Sequence, residues 1–186
     1  MNSKQVPKFR ETKAIASASI LLQLSGGKCD KYWLNKLMYY IERESLLKSG
    51  QPMFFDKLFS LPHGPIVSAI NDGIDSANMP GKSKWGEYFE LTDNSVILKY
   101  FEDDSILSEF EIEIITEAFD KFKGWSFPKL KNYFDNLPEN KITTSRELID
   151  YEEILKLNGA SEFQIKEAIS EISYLSFIEN SLDCAK

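Results

Sequence analysis

The sequence predicts a mainly α-helical protein, with about six to seven helices and a small antiparallel β-hairpin near residues 87–101. Apolar residues recur at helical spacing over most of the chain. Three segments also carry Ser or Asp followed three residues later by Glu or Gln, the pattern of a helix capping box. We therefore expect one compact α+β domain over residues 1–186, with a loose N-terminal arm over 1–10 and a C-terminal helical extension over 139–186.

The N-terminal half predicts two helices followed by an extended segment. The Ala- and Leu-rich residues 11–24 place apolar side chains on one helical face, and Ser-Gly-Gly ends the pattern. Asp30 is a good N-cap for a second helix, which Gly50 ends. Aromatic residues flank the apolar stripe of this helix, so we expect it to be central. Residues 53–61 form a short apolar run, which we expect to lie extended across the helices.

The stretch Leu61–Val67 holds the only histidine of the chain, next to a Gly-Pro pair. Pro65 suits the first turn of a helix, where its missing N–H costs nothing. Gly64 supplies the backbone freedom that a sharp turn needs, and Pro62 favours an extended residue before it. The stretch therefore predicts a strand or loop that turns abruptly into a third helix starting at Pro65.

The second half of the chain predicts the hairpin and then further helices. Two short strands, about 87–91 and 96–101, flank an Asx-rich turn. Residues 139–148 are polar and predict either a surface loop or a hinge. The helices that follow the hairpin begin at capping-box sequences, which are Ser108/Glu111, Asp150/Glu153 and Ser161/Gln164.

Composition narrows the classes of function. The net charge of −7 and the pI of about 4.9 argue against a nucleic-acid partner, because affinity for phosphates rests on clustered Lys and Arg. The same charge favours a basic protein partner. The two cysteines have no metal-ligand spacing. No segment approaches the ~20 apolar residues that a membrane helix needs, so we expect a cytoplasmic protein with no membrane contact.

His63 is the obvious candidate for catalysis. A histidine that acts as a general base also needs a nucleophile, an orienting carboxylate or a metal, and the sequence signals none of these. An enzyme centred on His63 stays open as an alternative, but we interpret His63 as a residue that shapes the turn. Carboxylates such as Glu42 and Glu44 are interpreted as belonging to solvated helix faces. The sequence thus predicts no catalytic residue, no cofactor and no metal.

Six aromatic residues cluster on the second helix and the extended segment after it. A cluster of this kind more often belongs to a core than to a binding surface. If part of it is exposed, it predicts a protein-interaction surface, since Tyr and Trp are enriched at binding hot spots. The members are Trp33, Tyr39, Tyr40, Phe54, Phe55 and Phe59.

The order of several short motifs resembles the Panacea domain family of SocA-like antitoxins. A Lys-Leu-x-Tyr helix at 36–39 leads to Gly50–Phe54 and then to a Gly-Pro turn at His63–Val67, and Tyr151–Leu155 also has the character of the family. The similarity spans roughly residues 14–136, with a weaker extension to the C-terminus. Family members commonly carry a Thr-His and a Pro-Trp pair after the Ser-capped helix, and this chain has neither His nor Trp there.

The resemblance implies a helical fold with a small β element and no catalytic residue. It implies an antitoxin that binds and neutralises a protein toxin, usually encoded by the adjacent gene. The alternatives are a proteolytic adaptor that delivers its client to a ClpXP-type protease, and a transcriptional autoregulator. The residues singled out as a structural motif and possible partner-binding set are His63, Gly64, Pro65, Trp33, Tyr39 and Phe54.

Overall fold

Fourteen helices and strands make up the part of the chain that the computed structural model describes, residues 6–79 and 84–183. A short 3-10 turn at Asp104–Ile106 precedes the fifth helix. In chain order the elements are α1 (Glu11–Leu24), β1 (Lys28–Asp30), α2 (Lys31–Ser49), β2 (Leu58–Leu61), β3 (Gly64–Val67), α3 (Ser68–Asp75), α4 (Trp85–Tyr88), β4 (Phe89–Thr92), β5 (Ser95–Leu98), α5 (Glu109–Phe122), α6 (Phe127–Asp135), β6 (Glu147–Ile149), α7 (Tyr151–Leu157) and α8 (Glu162–Asp183).

Helix α2 is central, as the sequence predicts. The Asp30 carboxylate accepts a hydrogen bond from the backbone N–H of Trp33 at 3.1 Å, which caps the first turn of the helix. Gly50 ends the helix in the left-handed conformation, with φ of 77°. Between these caps α2 contacts α1, α3, α5, α6 and α7. The mainly α-helical class is confirmed, with eight helices among the described residues.

Helices α1 and α5 pack against α2 and close the core on one side. Nine consecutive residues of α1, Ala14–Leu22, are buried, so this helix is enclosed around its whole circumference. The capping box that begins α5 is complete, because Ser108 and Glu111 each accept from the other's backbone N–H. Both predicted helices are confirmed.

The predicted hairpin is present as β4 and β5, and it belongs to a larger sheet. Strand β1, which directly precedes α2, pairs antiparallel with β5 to give the order β1-β5-β4. Thr92 pairs with Ser95, so the hairpin turn contains two residues. Asp93 occupies the left-handed region at φ 53°, a conformation that Asp and Asn tolerate better than most residues.

The prediction of a helix starting at Pro65 is wrong. Residues Gly64–Val67 form β3, which pairs antiparallel with β2, and α3 begins only at Ser68. A second three-stranded sheet thus has the order β3-β2-β6. Pro65 is tolerated because β3 lies at the edge of this sheet, where a missing N–H need not break a ladder of hydrogen bonds.

Residues 139–148 are largely an exposed loop, which is one of the two predicted alternatives, but the segment begins at a buried residue and ends in a strand. Glu139 is 1% exposed and accepts hydrogen bonds from α2. Strand β6 follows and pairs with β2. Helices α7 and α8 then pack on each other, and α7 also contacts α2. The C-terminal segment is therefore joined to the rest of the fold through a sheet and through buried polar contacts.

The N-terminal segment is also held in place along its described part. The backbone N–H of Arg10 donates to the carbonyl oxygen of Phe54 at 2.9 Å, and the Ser176 hydroxyl on α8 donates to the carbonyl of Val6 at 3.1 Å. Pro7 is buried. A loose arm over residues 1–10 is thus wrong for residues 6–10, while residues 1–5 lie outside the described part.

No helix in the described ranges is both long enough and apolar enough to cross a membrane.

Candidate functional site

The turn at His63–Pro65, here called the HGP turn, packs on α2 through Lys36. The Lys36 side chain is buried, and its Nζ donates to the carbonyl oxygen of Pro65 at 2.7 Å. Gly64 has φ of +84°, and a Cβ placed on it would lie 3.2 Å from Lys36 Nζ and 3.0 Å from Asp135 Oδ1. The backbone conformation and the close approach together require glycine at this position.

Burial sets the charge state of Lys36. Desolvation lowers the pKa of Lys36 from 10.5 to about 7, against the opposing effect of the Asp135 carboxylate. Lys131, which lowers the same pKa, forms an ion pair with Asp135 one turn along α6. The ammonium also lies 5.0 Å from the centre of the Tyr32 ring. This lysine is therefore a structural link between α2, α6 and the HGP turn rather than an exposed nucleophile.

His63 is the one exposed residue of the HGP turn. Its carbonyl oxygen accepts a hydrogen bond from the Tyr32 hydroxyl at 3.2 Å. Across residues 6–79 and 84–183, no side chain hydrogen-bonds or ion-pairs with the imidazole. The same ranges contain no group of three His, Cys, Asp or Glu side chains that could hold a metal ion. The surroundings of His63 therefore offer a contact surface and not an assembled catalytic group.

An aromatic cleft of about 430 Å³ opens beside the HGP turn, at the N-terminal end of α2. Trp33 is half-buried in its wall and meets Phe119 edge-on, with ring centres 6.2 Å apart. Phe127 is 55% exposed and lies 4.8 Å from Tyr32, centre to centre. The cleft is lined by Ser25, Cys29, Asp30, Tyr32, Trp33, Phe119, Lys123, Gly124, Trp125, Phe127 and Leu130.

The thiol in this cleft is unreactive at neutral pH. Burial, with the nearby Asp30 carboxylate, raises the pKa of Cys29 to about 12. The thiolate is the reactive form of cysteine, so this residue behaves as a small apolar wall of the cleft.

Tyr39 and Phe54, two further candidates from the sequence, have no exposed surface. The Tyr39 hydroxyl bonds to Glu139 at 3.1 Å, and the Phe54 backbone N–H donates to Glu42 at 2.6 Å. Their side chains contribute to the core and do not reach a partner in this structure. Gly64 and Pro65 are buried as well, which leaves His63 and Trp33 as the members of the predicted set that border open space.

Glu42 is not on a solvated helix face. It is fully buried and also accepts from the Tyr151 hydroxyl at 2.8 Å. Burial raises the pKa of Glu42 to about 7, although hydrogen bonds from Phe54 and Tyr151 favour the charged form. The signal in the sequence was the aromatic and apolar surface around α2, which leaves little of that helix for solvent.

Arg43 makes the neighbouring buried contact on α2. Its Nε donates to Glu139 Oε1 at 2.6 Å, and its guanidinium also binds the side-chain oxygen of Asn158 beyond α7. The side chains of Arg43 and Glu139 are 7% and 0% exposed. Buried polar side chains of α2 thus hydrogen-bond to the C-terminal segment and hold it against the core.

Trp125 and Phe127 are cleft residues that sequence reasoning did not select. Trp125 lies in the connection between α5 and α6 and Phe127 is the first residue of α6, about ninety residues from Trp33, so only the tertiary fold brings them together. The one local signal was the concentration of aromatic side chains around the cap of α6, in Trp-Ser-Phe-Pro.

The described residues combine a helical scaffold with an exposed aromatic cleft at the N-terminal end of α2. The family described as "Antitoxin SocA-like, Panacea domain" matches residues 34–139, which is more than half of the chain. The chain therefore belongs to the SocA-like antitoxin family with a Panacea domain, as its motifs predicted. Searches among curated proteins and among solved structures gave no match.

Proposed function

We propose that this chain is an antitoxin that neutralises a protein toxin by binding it directly. The observation that carries the proposal is the family match over residues 34–139, which includes Lys36, the HGP turn and six of the eleven residues that line the aromatic cleft. Trp33 directly precedes the matched segment. The proposed protein is cytoplasmic and non-catalytic, and its partner is encoded by the adjacent gene.

The aromatic cleft is the proposed anchor point for the toxin. Aromatic side chains supply large contact area at low cost in side-chain entropy, and binding hot spots are enriched in Trp and Tyr. Phe127 exposes 55% of its surface at the rim, and Trp33 lies half-buried in the wall. A protruding apolar side chain of the toxin would fill the cleft and remove both rings from water.

The net charge of −7 suits the same role. Toxins that act on nucleic acid or on translation need basic surfaces to bind phosphates. An acidic antitoxin would be drawn to such a surface by its charge and would compete with the phosphates for it.

Co-expression with the product of the adjacent gene tests the function. The toxin alone should arrest growth, and the full chain should relieve the arrest. Phe127→Ala should weaken rescue, whereas the matched control Phe110→Ala, at a ring that is 38% exposed outside the cleft, should not. A non-toxic neighbour, or arrest that the wild-type chain leaves unchanged, would overturn the proposal.

The half-life of the toxin separates neutralisation from proteolytic delivery. Direct neutralisation predicts the same toxin half-life with and without this chain, in cells that keep their proteases. A half-life that shortens only when the chain is present would instead support the adaptor alternative.

A further inference from the structure

The outward face of α8 is apolar where a surface helix is normally polar. Four large apolar residues in its C-terminal half lie at helical spacing and are exposed: Tyr174 by 62%, Phe177 by 66%, Ile178 by 36% and Leu182 by 62%. Phe163, 68% exposed, begins the same face near the start of the helix. We call this set the α8 face.

The buried side of α8 carries small and aliphatic residues. Ala168 lies against Gly50 at the end of α2, where a Cβ on Gly50 would be 3.5 Å from Ala168 Cβ. Ile172 and Ser176 are the next buried residues, at 0% and 1% exposure. Three further aliphatic residues of α8 are half-buried against the core: Ile165, Ile169 and Leu175. The helix thus has an apolar docked side, and the exposed rings form a second apolar surface, which is unfavourable in water unless another surface covers it.

The area of the face fits an interface. Aromatic side chains carry about 150–250 Å² each, so the four C-terminal residues of the face expose on the order of 400 Å², a size that on monomers often marks an interaction site. A standard interface buries about 800 Å² per partner. The α8 face therefore suits the apolar centre of an interface, with polar residues around it as the rim.

Charge identifies the partner. Glu167 and Glu171 are exposed beside the apolar residues, and neither has an ion-pair partner in the described part of the chain. Glu179, in contrast, is already paired with Arg10. The unpaired carboxylates call for Lys or Arg on the facing surface.

A second copy of this chain meets that requirement poorly when the apolar residues face each other, although each copy also exposes Lys166 beside Glu167. In an antiparallel pairing of two α8 helices centred near Tyr174, Glu171 would face Ile178 of the other copy. Burying a carboxylate against an apolar side chain without a counter-ion is costly. The arrangement of charges therefore favours a different, basic protein over a homodimer.

We propose that the α8 face is a second contact surface for the toxin, one that binds an apolar ridge bordered by basic residues. This rests on the proposed antitoxin function. Helix α8 is docked through Ala168 at the C-terminal end of α2, and the aromatic cleft lies at the N-terminal end of α2, a helix roughly 27 Å long. A 100-residue partner with a radius of gyration of about 13 Å is wide enough to span the length of that helix. The residues of α8 lie outside the family match, which ends at residue 139.

Binding of the purified full chain to the purified product of the adjacent gene tests the α8 face. Tyr174→Ala with Phe177→Ala should weaken the Kd by roughly 30-fold or more, as expected for hot-spot residues. Glu167→Lys with Glu171→Lys should weaken it and also reduce its dependence on salt, because the removed charges are exposed to screening. The controls, Tyr100→Ala and Glu113→Lys, change exposed residues outside α8 and should stay within about twofold of wild type.

The possible failures are distinguishable. Unchanged binding by both α8 variants, with tight binding by wild type, overturns the α8 face and leaves the antitoxin function standing. No binding by the wild-type chain overturns both. A wild-type dimer in sedimentation that Tyr174→Ala with Phe177→Ala dissociates would show that the face binds a second copy, and would also overturn the proposal.

Discussion

Lys36 Nζ lies 2.7 Å from the carbonyl oxygen of Pro65, and this buried contact joins the central helix to the HGP turn. The contact exists because Gly64 lets the backbone approach the lysine closely. The three residues therefore act as one unit, and changes at each of them should have different, measurable effects.

Gly64→Ala should destabilise the fold by about 1–3 kcal/mol, because a non-glycine residue is strained in this backbone region and its Cβ would press on Lys36 and Asp135. Gly124→Ala is the matched control, since Gly124 has a similar φ of +74° but open space around a new Cβ. Urea unfolding should show a larger loss at Gly64. An equal loss of stability at both positions would show that the effect comes from backbone strain alone and not from contact of the new Cβ with Lys36 and Asp135.

His63→Gln should leave both stability and toxin neutralisation unchanged within error, since the side chain is exposed. Urea unfolding and the growth-rescue assay measure the two properties. Loss of rescue by a well-folded variant would instead support an enzyme, or a direct contact, centred on His63.

The low pKa of Lys36 predicts a dependence of stability on pH. Its pKa is about 7 in the folded protein against an ordinary 10.5, so the unfolded chain binds more protons between these values. Stability from this group should therefore rise with pH across that window, by up to about 1.4 kcal/mol per pH unit. The free energy of unfolding of wild type minus that of Lys36→Met, measured in urea, should therefore become more positive from pH 7 to pH 8 and from pH 8 to pH 9. A flat difference would contradict a neutral buried lysine.

The raised pKa of Glu42 predicts that stability changes with pH in the opposite direction, over a lower pH range. Burial raises its pKa to about 7 from 4.5, so the folded state binds the extra proton and stability from this group falls as pH rises through that window. Glu42→Gln, which cannot ionise, should gain stability relative to wild type between pH 5 and 8, by on the order of 3 kcal/mol in total. Glu113→Gln, at an exposed position, is the control and should show no such trend.

The buried pair of Arg43 and Glu139 should behave as a coupled unit. Arg43→Met leaves the Glu139 carboxylate without a counter-ion in the core, at a cost of about 3–5 kcal/mol. Glu139→Leu should cost less, because Arg43 keeps its ion pair with Glu44. The double variant removes both charges and should lose less than the two single losses combined, by more than about 1 kcal/mol. A double-mutant cycle in urea measures this coupling. Simple additivity would show that the two side chains act independently.

The local parts of this fold were predictable from the sequence because they depend on neighbouring residues. The Asp30 cap of α2 and the capping box of Ser108 and Glu111 are formed within four residues of sequence. The same holds for the two-residue turn between β4 and β5. Each of these features satisfies backbone groups at the place where the residue types appear.

Pro65 is a residue whose secondary structure the local sequence does not determine. Its fixed φ suits a helix start and an edge strand equally well, and the choice depends on β2 being available as a partner. Strands β1 and β6 have three residues each and exist only through pairing with distant segments. No pattern inside three residues distinguishes such a strand from a loop.

The residues of the candidate site could likewise be predicted from the sequence only in part. Trp33 was selected from the aromatic cluster and does border the cleft, whereas Tyr39 and Phe54 from the same cluster are core residues. Helical spacing alone does not say which side of an aromatic-rich helix stays open. That depends on where Trp125 and Phe127, far along the chain, are placed by the fold.

Helix α1 is a buried part of the fold that the family match does not include. The family match begins at Leu34, inside α2, and so leaves out the whole of α1. Yet nine consecutive residues of α1 are buried, and the helix covers parts of α2 and α5. A fragment cut at residues 34 and 139 would expose that surface to water and would also lose Asn158 and Tyr151 as partners of the buried charges on α2. The matched segment is therefore smaller than the unit that buries its own core, and an expression fragment should include α1 and the residues up to α7.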